Sequence, residues 1–206
     1  MIRVVLCQTG GKLNNLTNTP PSAAPYYRRI AIVGVSGSGK TTLARQLSQH
    51  LSLPHVELDA LHWDPGWVPT PAAVFRQRAR QALQGAIWVV DGNHPEVRDI
   101  IWSRADTVVW LDYGLALVMW RLILRTLRRA ATREVLWNGN RERTLRAHFF
   151  SRDSIFLWAL RTYGLRREEY PALFKSSAYA QVRPVHLRSP RATRAWLAGL
   201  PVSVEQ

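Results

Sequence analysis

Residues 30–42 read Ile-Ala-Ile-Val-Gly-Val-Ser-Gly-Ser-Gly-Lys-Thr-Thr, and this stretch decides the fold. Four apolar residues of strand length run into Gly34-Val35-Ser36-Gly37-Ser38-Gly39-Lys40-Thr41, a complete G-x-x-x-x-G-K-[ST] pattern. Residues 40–51 then carry helical periodicity. Strand, glycine-rich turn and helix in that order build a cradle for a polyphosphate. The glycines allow successive backbone N–H groups to turn inward, and the helix adds the positive end of its dipole. Lys40 reaches the terminal phosphates, and the hydroxyl of Thr41, followed by Thr42, is placed for Mg²⁺. The ligands expected are ATP and Mg²⁺.

Outward from this loop, apolar runs alternate with helical patterns. Strands are expected at residues 29–33, 55–58, 86–90, 107–111 and 182–187, with helices over 40–51 and 71–83 and after each later strand. Ser189-Pro190 reads as a helix cap with proline in the first helical position, and Gly199 closes that helix. Five strands interleaved with helices imply an α/β P-loop NTPase fold, a parallel sheet covered on both faces. Residues 1–26, with Gly10-Gly11 and Pro20-Pro21, read as a poorly ordered extension. Residues 27–200 form the expected domain, with 201–206 as a tail.

With 206 residues, 47% of them hydrophobic, the chain can bury one ordinary core, which excludes disorder throughout. The one cysteine, Cys7, rules out a disulfide framework, and no Cys/His spacing suits zinc. The opening ten residues lack a long apolar run and a cleavage site. The most apolar stretch, residues 107–120, is cut by Asp112 and falls short of a membrane span. A cytoplasmic protein without a membrane partner is expected.

Charge narrows the partners further. The formal net charge is +14, and all but three of the 28 basic residues are arginine, whose planar fork matches phosphate oxygens. Twelve arginines fall within residues 121–167, against three acidic residues. Arg121, Arg125, Arg128 and Arg129 share one helical face, beside an apolar stripe of Leu117, Trp120, Leu124 and Leu127 by which the helix is expected to pack. Residues 134–146 read as a turn or flap, with Arg141 following its Asn138-Gly139-Asn140 centre. Guanidinium groups on a mobile flap neutralise a migrating phosphoryl group and exclude water. An N-K-x-D triplet for guanine and the L-S-G-G-Q of transporter ATPases are both missing, so a phosphotransferase is the leading expectation. The alternative is a nucleic-acid-associated ATPase whose arginines track a phosphate backbone.

Strand ends supply the carboxylates. Asp91, just past residues 87–90, is the first candidate to hold Mg²⁺, and Asp112 competes with it. Asp59, at the end of the second strand, could take or orient an acceptor hydroxyl's proton or serve as a turn residue. His62 could assist it. Trp63 and Trp67, flanking Asp64-Pro65-Gly66, could stack on an acceptor or anchor the loop. Arg98 is a candidate for an acceptor phosphate.

The P-loop together with Leu58–Trp63, Pro65–Trp67, Trp88–Asn93 and Leu136–Glu142 resembles the adenylate-kinase-related proteins labelled DNA topology modulation, FlaR-type. The resemblance spans roughly residues 28–199. It implies a nucleoside-monophosphate-kinase-like fold with a five-stranded parallel sheet, the Asp91 strand beside the P-loop strand, and a lid over about residues 121–167. Ser189-Pro190-Arg191 is similar to the turn bordering adenine in related kinases, which implies a nucleotide contact for Arg191 as for Arg121. Adenylate kinases proper follow the Asp-Gly pair with phenylalanine, proline and arginine. Here Asn93-His94-Pro95 stands instead, which argues against AMP as the acceptor. The catalytic set expected is therefore Lys40, Asp59, Arg125, Arg128 and Arg141, acting on a small-molecule phosphoryl acceptor.

Overall fold

A computed structural model describes residues 27–132, 134–141 and 154–201. The expected extension over residues 1–26, most of the 201–206 tail and the middle of the 121–167 lid lie outside them.

The sheet holds five parallel strands: β1 (Arg29–Gly34), β2 (His55–Glu57), β5 (Trp88–Asp91), β6 (Thr107–Leu111) and β7 (Arg183–Leu187). Their spatial order is β2-β5-β1-β6-β7, so the P-loop strand is central. β5 lies beside it with Ile32 opposite Asp91, and β6 flanks it on the other side with Gly34 opposite Leu111. The five sequence-expected strands are all present, each within two residues of its expected bounds. Leu58, expected in the second strand, instead opens the short helix α2 (Leu58–His62).

Helices α1 (Lys40–Leu51), α3 (Ala72–Ala82), α4 (Pro95–Trp102), α5 (Leu115–Thr132), α6 (Ile155–Lys175) and α7 (Pro190–Ala198) cover both faces. Alternation along β1 fixes which side chain serves which face. Ala31 and Val33 pack with Phe75, Trp88, Trp102 and Tyr170, while Ile30 and Ile32 pack with Leu43, Leu47 and Val118. Burying each such large side chain contributes about 1.5–3 kcal/mol. The Ser189 cap is formed, its Oγ accepting from Ala192 N at 3.1 Å, with Pro190 opening α7. Among the described residues no helix is long and apolar enough to cross a membrane.

Two features depart from the sequence reading. The first is a small antiparallel hairpin, β3 (Trp63–Asp64) and β4 (Val68–Pro69), closing around Pro65-Gly66-Trp67. The second corrects the packing of α5. Its buried line is Val118, Leu122 and Thr126, whereas Trp120, Leu124 and Leu127 are exposed. The helix is apolar nearly all round, so periodicity allowed two stripes. The i, i+4, i+8 line wins because it meets the P-loop on one side and Phe156 and Ala159 of α6 on the other.

Candidate active site

The P-loop is built as its sequence demands. Gly37 and Gly39 sit at φ +87° and +95°, a backbone region that side chains rarely adopt. At Gly37 space is limiting too: a Cβ there would lie 2.7 Å from the Val118 carbonyl oxygen and 3.1 Å from Leu122 Cβ. Glycine thus lets the loop rest directly on α5, the helix that carries the arginines. Gly34, at the start of the loop, is tied to Asn93, whose side-chain oxygen accepts its N–H at 3.1 Å and whose amide donates to its carbonyl.

Lys40 lies over the loop, its ammonium donating to the carbonyls of Gly34 at 2.8 Å and Val35 at 3.3 Å. Burial pushes its pKa down. The negative charges of Asp59 and Asp91 oppose this, and Arg125 and Arg166 reinforce it. These four side chains therefore share an electrostatic neighbourhood with the lysine. Thr41 donates from Oγ1 to Asp91 Oδ2 at 2.6 Å, and the other oxygen of Asp91 meets His55 Nε2 at 2.7 Å. Asp112, the competing candidate, is engaged elsewhere, by Arg167 Nε at 2.7 Å and His186 Nε2 at 2.9 Å.

One cleft of about 2000 Å³ joins the P-loop to Asp59, Trp63 and Trp67. Residues 35–42 line it, as do Asp59, His62, Trp63, Trp67 and His94, and so do Arg121, Arg125, Arg128, Arg129, Arg161 and Arg166. The four described arginines of α5, with Arg161 and Arg166 of α6, thus line the same cleft as the P-loop. Arg121 reaches the Ser38 carbonyl at 3.4 Å and lies over the ring of Tyr113, whose hydroxyl is 2.6 Å from Thr193 Oγ1. Arg128 is exposed and pairs with Glu134 at 3.4 Å. Two expected residues stand apart. The exposed Arg141 and Arg191 are not among the side chains lining the cleft, whereas Arg194, one turn beyond Arg191, is. Arg98 pairs with Glu169 at 2.7 Å and lines a separate small crevice.

Residues 134–137 line the cleft near Asp59, and the segment 134–141 docks onto α2 and the hairpin. Trp137 Nε1 donates to Glu57 at 2.7 Å, and the Asn138 amide donates to the carbonyls of Ala60 and Trp63. Asn140, itself buried, donates to the Asp64 carbonyl and accepts from Trp67 N at 2.9 Å, while Trp67 Nε1 donates to the Arg141 carbonyl. Trp67 holds φ +60°, costly for so bulky a side chain, and these contacts hold it there. Trp63, Trp67 and Trp137 meet edge to face, with centroids 5.6 and 6.3 Å apart.

Asp59 faces this end of the cleft and meets His94 Nε2 at 2.9 Å. Burial raises its pKa. The hydrogen bond from His94 and the charges of His94, Lys40 and Arg125 outweigh that, so the group lies below the usual carboxylate range. Sequence reasoning missed His94, Arg161, Arg166 and the Asn93–Tyr170 contact at 3.0 Å. A histidine directly after Gly92-Asn93, in the turn leaving an Asp91-bearing strand, was the available signal for the first of these.

Fold and loop together are those of a P-loop nucleotide-binding protein. No protein-family model matches the chain. It is 29% identical over 139 residues to a shikimate kinase of Synechococcus elongatus, covering 57% of this chain and 73% of that one. To a shikimate kinase of Ruegeria pomeroyi it is 27% identical over 158 residues, covering 69% and 78%. A shorter match, 41% over 49 residues, joins it to a probable gluconokinase of Schizosaccharomyces pombe, covering 23% of this chain and 25% of that one. Among solved structures, a shikimate kinase of Bacteroides thetaiotaomicron shares the fold, with a TM-score of 0.50 at 15% identity over 83% of this chain and 94% of that one. These relatives support the P-loop-kinase part of the resemblance read from sequence.

Proposed function

We propose that the protein transfers the γ-phosphoryl group of ATP to a hydroxyl of a small acceptor held beside Asp59. The observation that carries this is the single cleft in which the P-loop, the convergent arginines and Asp59 face one another. The polyphosphate lies along the amides of residues 35–41, with Lys40 released from the loop carbonyls onto the terminal phosphates. The nucleoside end lies toward Tyr113, Thr193 and Arg194, and the acceptor end toward Trp63, Trp67 and Trp137.

Thr41 and Asp91 supply a hydroxyl and a carboxylate, hard oxygen donors that suit Mg²⁺. Among the described residues no group of three His, Cys, Asp or Glu could hold a metal. That fits an ion arriving with the nucleotide and completing its shell from phosphates and water. When bound, Mg²⁺ supplies charge neutralisation at the phosphates.

Asp59 remains a carboxylate through the neutral range, so it accepts the hydrogen bond of the acceptor hydroxyl and points its lone pair at the γ-phosphorus. The acceptor O–P bond forms as the bond between the γ-phosphorus and the bridging oxygen breaks. ADP leaves, and the hydroxyl proton passes to solvent or to Asp59. Arg125 and Arg166, whose charges both act on Lys40, are the guanidinium groups that would meet the migrating charge. That the arginines of α5 line the same cleft as the P-loop supports this reading over one in which they track nucleic acid.

The test is a transfer screen with γ-labelled ATP and Mg²⁺ against shikimate, gluconate, sugars, nucleosides, nucleotides and DNA. Label on a small hydroxyl acceptor is expected. Label released only as phosphate, or released only when DNA is added, would replace this reading with that of an ATPase.

A further inference from the structure

His94 occupies an unusually constrained place. It caps α4, with Pro95 in the first helical position, and its carbonyl accepts from Val97 N at 3.3 Å. The residue before it, Asn93, is bound both to Gly34 of the P-loop and to Tyr170 of α6. The imidazole lies 4.5 Å, centroid to centroid, from that of His62 and 5.1 Å from the ring of Phe75. His62 is in turn set edge-on against Trp63 and Phe75. His62, Phe75 and His94 thus form one mutually packed ring cluster, on a backbone anchored through Asn93, and this seats the His94 ring with Nε2 turned to a carboxylate. That carboxylate is Asp59, whose Oδ1 lies at 2.9 Å.

We propose that His94 is a positioning residue for phosphoryl transfer: packed in one aromatic cluster with His62 and Phe75, it holds one oxygen of Asp59 so that the other is aimed at the acceptor hydroxyl. This rests on the reading of Asp59 as the acceptor-side carboxylate. Asp59 needs such a fixture because it sits in the five-residue helix α2, whose start has no side-chain cap. Transfer tolerates little misalignment, since a displacement of about 1 Å can cost about 10²-fold in rate.

The electrostatic surroundings agree with the geometry. Asp59 is faced by His94 at the head of α4, Lys40 of α1 and Arg125 of α5. His62 of α2 is lowered first by burial and then by the charge of His94, against Glu96 and Asp59, and its buried Nδ1 has no hydrogen-bond partner among the described residues. A neutral His62 therefore acts as a spacer against which the His94 ring rests. Taking His94 away leaves the burial of Asp59 opposed only by Lys40 and Arg125, which moves the carboxyl upward.

The experiment compares wild-type protein with His94→Phe, which keeps a ring but donates nothing, and His94→Gln, which still donates. In His94→Phe, kcat for transfer is expected to fall about 10- to 100-fold with the KM for ATP little changed, and the acid limb of kcat/KM to move to higher pH. His94→Gln should recover most of the rate. A merely structural histidine would instead lower Tm without moving the limb. Carbon-13 NMR of the Asp59 carboxyl gives a reading independent of any acceptor: its titration midpoint should rise from wild type to His94→Phe. An unchanged midpoint, an unchanged limb, or a rate loss that glutamine fails to recover would overturn the proposal. A wild-type protein that transfers to no acceptor would sink the kinase reading, while the carboxyl titration still decides whether His94 governs Asp59. Should His94→Phe not fold, the same titration on His94→Leu, which also donates nothing, serves.

Discussion

Replacing Gly37 by alanine perturbs the point where the phosphate loop rests on the arginine-bearing helix. Two costs can be separated. The backbone there is left-handed, at φ +87°, and an L-residue pays about 1–2 kcal/mol to adopt that conformation. The new methyl would also fall 2.7 Å from the Val118 carbonyl oxygen, part of the α5 backbone rather than a pliable side-chain tip. Overpacking of this kind adds about 1–3 kcal/mol, for a total of about 2–5 kcal/mol. Gly66 is an internal control: it holds a similar φ of +79°, but a Cβ there meets nothing within 4 Å. Gly66→Ala should therefore cost only the conformational part. Urea unfolding of both variants measures the difference, and steady-state kinetics should show a raised KM for ATP in Gly37→Ala alone. Equal destabilisation of the two, or an unchanged KM for ATP in Gly37→Ala, would refute the argument that this glycine exists for close approach to α5.

Two further outcomes follow from the site. Arg125→Ala should lower kcat by about 10²–10³-fold while leaving ATP affinity nearly intact, because the developing charge of transfer is what the guanidinium stabilises; transfer kinetics beside a binding titration check it. Asn140→Ala removes both hydrogen bonds that its amide makes to the hairpin, at 2.9 and 3.0 Å. A loss of about 1–3 kcal/mol in unfolding free energy is expected, together with a raised KM for the acceptor rather than for ATP.

Much of the fold was legible because it is local. The P-loop pattern, the apolar runs of β1, β5, β6 and β7 and the Ser189-Pro190 cap each depend on neighbours in the chain, and each formed as read. The candidate site was legible where strand ends alone place a side chain. Asp91 ends β5 beside Thr41 as read, whereas Asp59, read at a strand end, is carried by α2 and meets His94. What escaped depends on contacts distant in sequence. His94 gains its meaning from a partner 35 residues away, and segment 134–141 from hydrogen bonds to residues more than 70 positions earlier. On α5, hydrophobicity spread over every side but that of the arginines left the buried line to be chosen by Gly37 and Phe156, which no periodicity reveals. The run of arginines over residues 121–167 likewise suggested an anionic ligand, while only the folded chain shows Arg161 and Arg166 among the cleft's lining residues and Arg141 not among them.

The claim beneath all of these is that the cradle of residues 34–41 grips the phosphates of ATP through its amides and the ammonium of Lys40. Titration calorimetry of Mg-ATP into wild-type protein and Lys40→Met tests it directly. The expected result is one saturable site in the wild type, weakened about 10- to 100-fold by the substitution, as loss of a charged hydrogen bond of about 1.5–3 kcal/mol requires. No saturable binding, or equal affinity in the two proteins, would contradict it.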